Sequence, residues 1–498
     1  MSSALHLDDP TLLVGLNYIN GDWVPSVSSQ IFEISDPATG FKIGTCPEST
    51  ASDAQNAIDA AAKAFPAWRS RSGRERGRIL RRWYELVLEN KRDLATLITT
   101  ENGKAKADAE GEVLFAASFL EWFSEEAARI YGEVVPHSSN AFRVSIIKEP
   151  VGVCGLITPW NFPAGMVTRK MGPALAAGCT VVLKSAGETP FSANALAVLA
   201  ARAGIPPGVI NIVTALENTP GIGQLLCSSD TVRKISFTGS TRVGRLLMSQ
   251  SSNTIKKLSL ELGGNAPFIV FDDADLELAL RDVINAKFKS SGQTCVCANR
   301  IYVHRRIMDE FLDRLASAVK GFRVGSGHDK EVTHGPLISP AAAQKVATLV
   351  DDAIAQGAKV VLGGKPLSSI GLSFYEPTIL AYVHANMRLA QEEIFGPVAA
   401  IFPFETEEEV IDAANTCNVG LASYIFTQDF NRATRVSELI QSGMVAINTG
   451  AVSDSAVPFG GIKQSGLGRE GSKHGLDDYL QMKTIITGSV NVTHRSHI

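Results

Sequence analysis

Residues 290–300 read SSGQTCVCANR, which crowds two of the chain's 7 cysteines one residue apart. Such a pair can be a disulfide, part of a metal site, two packed thiols or a nucleophile with a neighbour. Cys295 has features of a nucleophile. It follows a Gly-Gln-Thr turn instead of sitting in a periodic apolar run, and polar residues surround it. As a thiolate it would attack an electrophilic carbon. Two other segments hold groups that such an attack needs. In KKLSLELGGNAP, Leu258, Leu260 and Leu262 alternate with Ser259 and Glu261, and a glycine pair follows. Glu261 either faces water from a half-buried strand or serves as a general base at a strand end, where α/β sheets bind ligands. In LITPWNFP, Asn161 stands beside Trp160 between Pro159 and Pro163, as a turn residue or as a fixed amide donor to an oxyanion.

Phosphate-binding signals are weaker. No complete G-x-G-x-x-G occurs. TPGIGQLL places Gly221 and Gly223 before a helix, and FTGSTRVG places Gly239 and Gly244 between strand and helix. Lys184 ends the strand of VVLKSAGETP, as a ribose or phosphate ligand or as a solvated strand end.

The elements that carry these groups follow from hydrophobic period. Residues 54–66 and 75–98 read as amphipathic helices with Pro66 punctuating the gap, and 107–131 as another. Residues 133–149 read as an extended hairpin. From 150 onward short Val/Ile/Leu-rich strands alternate with helices, which requires right-handed crossovers and a mostly parallel sheet. A second such series starts near 267. The expected fold is α/β: a Rossmann-like, doubly wound cofactor domain (1–126 and 150–262), a second α/β domain (263–475) that opens with the cysteine segment, and a small β arm (127–149 and 476–498). Strands near 140 and 485 belong to neither core, so they are expected to pair and to cover a subunit interface.

Bulk composition narrows the function classes. The chain of 498 residues is 45% hydrophobic and 20% charged, with net charge -4. No basic excess favours nucleic acid, and no polybasic run favours an acidic membrane. No apolar stretch is long enough to span a bilayer. The first residues lack the pattern of a secretory or mitochondrial leader, so a cytoplasmic location is expected. Sparse cysteines, odd in number, argue for a reducing compartment, and scattered histidines leave a metal site without ligands.

Taken in order, TPWNFP, VVLKSAGETP, SFTGSTRVG, LSLELGGNAP, GQTCVCANR, EEIFGPV and PFGGIKQSGLGREG resemble the motifs of the NAD(P)-dependent aldehyde dehydrogenase superfamily, over about residues 17–487. MVTRKMGPALAAGC and GQTCVCANR look most like its succinate-semialdehyde dehydrogenase group. The resemblance implies that Cys295 attacks an aldehyde, that Asn161 and the Cys295 N–H hold the oxyanion, that a nicotinamide accepts hydride, and that Glu261 activates water to hydrolyse the thioester. It puts Thr158, Pro159, Trp160, Lys184, Gly187, Gly221, Phe237, Gly239, Ser240, Gly244, Leu262, Glu393 and Phe395 against NAD or NADP.

Related arguments set cofactor and substrate. NAD-preferring relatives often carry a glutamate where Gly187 stands, and the nearby acid here is Glu188, one residue late. With no anion to repel a 2′-phosphate and Lys184 to attract it, both cofactors are expected, with a lean to NADP. Two arginines and a serine grip the substrate's distal carboxylate in the resembling group. Arg169 and Ser453 match, but Lys289 replaces the other arginine and loses its bidentate fork, with Arg300 a possible substitute. Succinate semialdehyde is therefore expected, with glutarate semialdehyde as the alternative. Cys297 either packs or traps Cys295 in a strained, reducible disulfide. Relatives assemble as dimers or tetramers, so a homo-oligomer is expected. A cysteine acyl hydrolase is the rival from another class, but no histidine lies near Cys295 in sequence.

Overall fold

The computed structural model describes residues 5–488. Two sheets organise them. The first has eight strands in the order Asp22–Val24, Asn17–Ile19, Ile210–Val213, Thr180–Lys184, Val153–Ile157, Val232–Thr238, Lys257–Glu261, Gly466–Leu467. The run from Ile210–Val213 to Lys257–Glu261 is parallel throughout, as alternating strands and helices require. The second sheet has seven strands, Lys359–Leu362, Thr378–Ala381, Val398–Phe404, Ala298–His304, Ala266–Val270, Ala422–Phe426 and Met444–Ile447, and only its first strand is antiparallel. Both are doubly wound α/β units, and their central strands are buried on both faces, which explains near-continuous Val, Ile and Leu.

The third unit is the arm. Leu480–Thr487 pairs antiparallel with Arg143–Pro150 along its whole length, and Glu133–Val135 adds to the other edge. Residues 489–498 of the expected arm lie outside the described residues. The chain crosses back to the first sheet before the arm: Gly466–Leu467 pairs beside Glu261, and Leu476 and Tyr479 sit in the first core.

Local chemistry corrects several expected boundaries. The helix Ala51–Arg69 runs through Pro66 instead of stopping there. Pro66 removes the bond its N–H would make to the Ala62 carbonyl, but it stands in the last turn, so the loss is confined to the helix end. The helix expected over 75–98 is two, Gly73–Glu89 and Lys91–Asn102. Asn90 divides them, its Nδ2 donating to the Leu86 carbonyl at 2.8 Å, an example of a side chain competing with the backbone ladder. The strands Asn17–Ile19 and Asp22–Val24 and the unit Ala422–Ile447 were not anticipated.

The edge strand Gly466–Leu467 is tightly constrained. Gly466 has φ 124°, and a Cβ there would lie 1.7 Å from the Leu260 carbonyl oxygen. Only glycine satisfies both conditions. Replacing Gly466 by Ala should therefore unseat the pairing beside Glu261 and destabilise the fold by about 2 kcal/mol or more. Differential scanning calorimetry would show this as a lowered unfolding temperature.

Candidate active site

Cys295 is reached by a strained approach. The helix Leu276–Phe288 starts on Asp275, whose side chain accepts the Leu278 N–H at 3.0 Å. Beyond it Ser290, Ser291 and Gly292 have φ of 51°, 54° and 76°. Two successive serines in the left-handed region store about 1–3 kcal/mol each. They are held by the Ser290 N–H on Asp108 (2.9 Å) and by Ser291 Oγ on the Gly335 carbonyl (2.8 Å). Gln293 continues the fixing, its Oε1 accepting the Ile338 N–H at 2.9 Å. The segment then delivers Cys295 to the junction of two cavities, which it lines on both sides.

The smaller cavity, about 290 Å³, is walled by Pro159, Trp160, Asn161, Gly239, Ser240, Glu261, Leu262, Glu393 and Phe395 among others. Glu261 ends its strand buried, 3% exposed, and neither carboxylate oxygen has a hydrogen-bond partner among the described residues. Burial therefore raises its pKa, with Arg169 opposing. The Cys295 thiol is also pushed well up, first by burial and then by the Glu261 charge. Both effects oppose ionisation of the thiol. Asn161 is buried, and its Nδ2 donates to the Gln293 carbonyl at 3.0 Å, which leaves a second N–H on that nitrogen. Phe395 has φ 57° and packs edge-on against Trp160, ring centroids 5.6 Å apart. Glu393 accepts the Gly264 N–H at 3.2 Å, and burial pushes its carboxyl up to about 7.

Other expected cofactor residues divide. Lys184 is buried at its strand end, and desolvation pushes its ammonium down to about 8. The Thr158 N–H donates to the Lys184 carbonyl at 3.2 Å. Gly187 packs so closely that a Cβ would lie 2.9 Å from the Ala215 carbonyl oxygen, so no side chain fits there. The expectation of no anion near Lys184 needs correction, because the charges of Glu188 and Glu48 both act on it, although neither forms an ion pair with it among the described residues. Glu48 is engaged elsewhere, accepting the Leu216 and Asn218 N–H groups at 3.0 and 2.7 Å. Gly239 lies over Phe237, where a Cβ would meet the ring at 2.5 Å, and Ser240 caps the next helix. Gly244 is required by packing, since a Cβ there would lie 2.5 Å from Leu262, and it is not among the residues that wall the smaller cavity. Gly221 is exposed, lines neither cavity and has open space at its Cβ.

The larger cavity, about 450 Å³, brings together Arg169, Lys289 and Ser453 with Cys295, between aromatic walls of Phe115, Phe162, Tyr424 and Phe459. Arg169 is not wholly free. Its Nε ion-pairs with Glu470 at 2.7 Å, its guanidinium lies 3.7 Å from the Phe459 ring centroid, and its Nη2 has no partner among the described residues. Arg300 does not compensate for Lys289. It is buried and binds the carbonyls of Asn265, Ala413 and Ala414, away from both cavities. Cys297 is buried with its Sγ donating to the Lys287 carbonyl at 3.1 Å, and all seven cysteines are free.

Several site residues escaped sequence reading. Glu470 also pairs with Lys170, which reaches Ser236 Oγ at 3.2 Å. Against burial, which raises it, Lys170 and Arg169 hold the Glu470 carboxyl below the usual range. A signal existed: two cations stand in MVTRKMGPALAAG, a helix otherwise apolar enough to be wholly buried, and buried cations require a partner.

A thiol facing a buried carboxylate, set between an aromatic-walled cavity and a strand-end cleft of a doubly wound fold, is the arrangement of a covalent oxidoreductase site. The chain belongs to the aldehyde dehydrogenase family, whose pattern matches residues 23–485. It is 51% identical to glutarate-semialdehyde dehydrogenase of Pseudomonas aeruginosa, over 98% of this chain and 100% of that one. It is likewise 51% identical to the NADP(+) succinate-semialdehyde dehydrogenase of Escherichia coli, over 97% and 100%. The crystal structure of succinate-semialdehyde dehydrogenase from Burkholderia pseudomallei superposes with a TM-score of 0.95 at 51% identity, covering 97% of this chain and 99% of that one.

The raised thiol has a measurable consequence. Iodoacetamide labelling of Cys295 in the cofactor-free enzyme should keep accelerating with pH beyond the ordinary thiol range. Glu261→Gln removes the facing charge, lowers the thiol pKa and should speed labelling at neutral pH. Peptide mass spectrometry of the labelled protein would report both.

Proposed function

We propose that this enzyme oxidises succinate semialdehyde to succinate with NADP or NAD, through a thioester on Cys295. The observation that carries the reading is the position of Cys295, which lines a cavity holding the cations Arg169 and Lys289 on one side and the cleft walled by Glu261 on the other. Arg169 Nη2, Lys289 and Ser453 would meet the distal carboxylate. Lys289 offers a charge without a fork, so a one-carbon-longer semialdehyde acid is the second reading, favoured by the same substitution and by the likeness to a glutarate-semialdehyde dehydrogenase.

The residues suggest an order of events. Cys295 and Glu261 cannot both be anions cheaply, so the thiol loses its proton as the carboxylate gains it. The sulfur then adds to the aldehyde carbon. The second Asn161 N–H and the Cys295 backbone N–H would hold the oxyanion. NADP or NAD bound in the smaller cavity would supply the acceptor for the aldehyde hydrogen. The chain fits such a group: the unpaired buried Lys184 suits an adenosine ribose or its 2′-phosphate, and Glu393 suits ribose hydroxyls. With its proton released, Glu261 becomes the base that activates water against the thioester.

Assembly and place belong to the same proposal. The arm exposes Tyr131 (70%), Val134 (79%), Met482 (75%) and Ile486 (59%). An apolar edge of that kind suits a second copy of the chain, giving a homodimer or a homotetramer. Free cysteines suit a reducing, cytoplasmic setting. Among the described residues no helix is long and apolar enough to cross a membrane.

Steady-state assays crossing succinate semialdehyde, glutarate semialdehyde and butanal with both cofactors test the reading. The carboxylate-bearing aldehydes should be preferred, Cys295→Ala should be inactive, and Glu261→Gln should lose about 10²–10⁴ in turnover. Equal efficiency on butanal would defeat it. Light scattering tests the assembly: charging the arm with Met482→Asp and Ile486→Asp together should give monomers.

A further inference from the structure

The proposed grip on a distal carboxylate joins two separate elements. Lys289 follows the helix Leu276–Phe288, whereas Ser453 lies in the exposed loop of residues 449–453. Nothing in either element alone sets the distance between them. Asp282 stands two turns before Lys289 on the helix, buried at 5% exposure on a face that otherwise buries Ala279, Val283 and Ala286. Its Oδ2 accepts the Gly450 N–H at 3.1 Å, and its Oδ1 accepts from Arg281 Nε at 2.9 Å. The loop touches the helix closely here, since a Cβ on Gly450 would lie 2.6 Å from the Asp282 carbonyl oxygen. Asp282, Gly450, Ser453 and Lys289 all line the cavity that Cys295 opens into.

An acid on this face is otherwise unexplained. Its partner Arg281 is two-thirds exposed at 67%, so that pair alone would contribute little. An anion beside the path of an anionic substrate should even repel it. Both oxygens of Asp282 are instead occupied, one of them by the backbone of the substrate loop.

We infer that Asp282 is a positioning residue for substrate specificity, which clamps the 449–453 loop to the helix so that Ser453 and Lys289 face one distal anion together. The inference rests on the proposed preference for aldehydes with a distal carboxylate. Asp282 touches neither the reacting carbon nor the sulfur and acts through Gly450.

The test compares succinate semialdehyde with butanal on the full-length enzyme at saturating NADP. Loss of a charge-assisted hydrogen bond of this kind should lower the efficiency ratio, acid over plain aldehyde, by about tenfold in Asp282→Ala, through a raised KM for the acid. Gly450→Ala pushes the loop off without touching the carboxylate and should do the same. Asp282→Asn still presents an oxygen to the Gly450 N–H and should keep most of the ratio. A parallel loss on both aldehydes would mark a merely structural role and overturn the inference. So would an unchanged ratio in Asp282→Ala and Gly450→Ala, or a higher ratio in Asp282→Asn, which would mean that the charge acts by repulsion. A wild-type enzyme with no preference for the acid would instead overturn the substrate reading on which the inference stands.

Discussion

A buried carboxylate without a hydrogen-bond partner is held against a thiol, and the surrounding site offsets that unfavourable placement. Isolated, such an anion would be penalised by several kcal/mol. It is not isolated. Arg169 and Lys170 lie behind it, and both share Glu470, so two buried cations face two buried anions. The cluster is neutral only while Cys295 keeps its proton. Ionising the thiol would add a third negative charge, and its pKa rises accordingly. The electrostatics therefore couple the two groups: a charge on Glu261 opposes ionisation of the sulfur, and loss of the thiol proton favours protonation of Glu261.

Position follows from the two sheets. Glu261 ends a parallel strand of the first, and Asn161 follows another of the same sheet. Cys295 enters from the second unit, just before Ala298–His304. Strand ends are where doubly wound sheets place ligands, because crossover loops leave a crevice there. The strained serines explain how a group from one unit reaches the crevice of the other. A helix end in relaxed geometry would not turn sharply enough, and the tether to Asp108 and Gly335 keeps the turn from relaxing.

Much of this was legible in the chain. Alternating strands and helices from residue 150 onward predict the parallel sheets, and the types and settings of Cys295, Glu261 and Asn161 bring three groups to one site. What was less legible has physical reasons. Gly244 reads as a phosphate turn, but glycine also permits close packing, and the contact with Leu262 that requires it here is not local in sequence. Arg300 is a cation near a nucleophile in sequence, yet successive strand residues point to opposite faces, and it serves backbone carbonyls. Cys297, in the turn just before that strand, packs as one of its two readings had it, with its thiol on the Lys287 carbonyl. Glu470 was out of reach because its partners lie 300 residues away, and no local period reports a contact of that range.

Cofactor preference illustrates how packing limits chemistry. A carboxylate in place of Gly187 would chelate ribose hydroxyls and repel a 2′-phosphate. Here no side chain can stand at that position, because Ala215 and Leu216 occupy the space. The nearest acids do not replace it: Glu48 is bound to two backbone N–H groups, and Glu188 points to solvent. Lys184, desolvated and held near a pKa of about 8, has no ion-pair partner among the described residues. A dianionic phosphate would relieve that desolvation more than a hydroxyl would, since it restores a full opposite charge beside a buried ammonium. Tolerance of the phosphorylated dinucleotide would thus come from two features that are independent in sequence, a closely packed glycine and a buried lysine that gains by pairing.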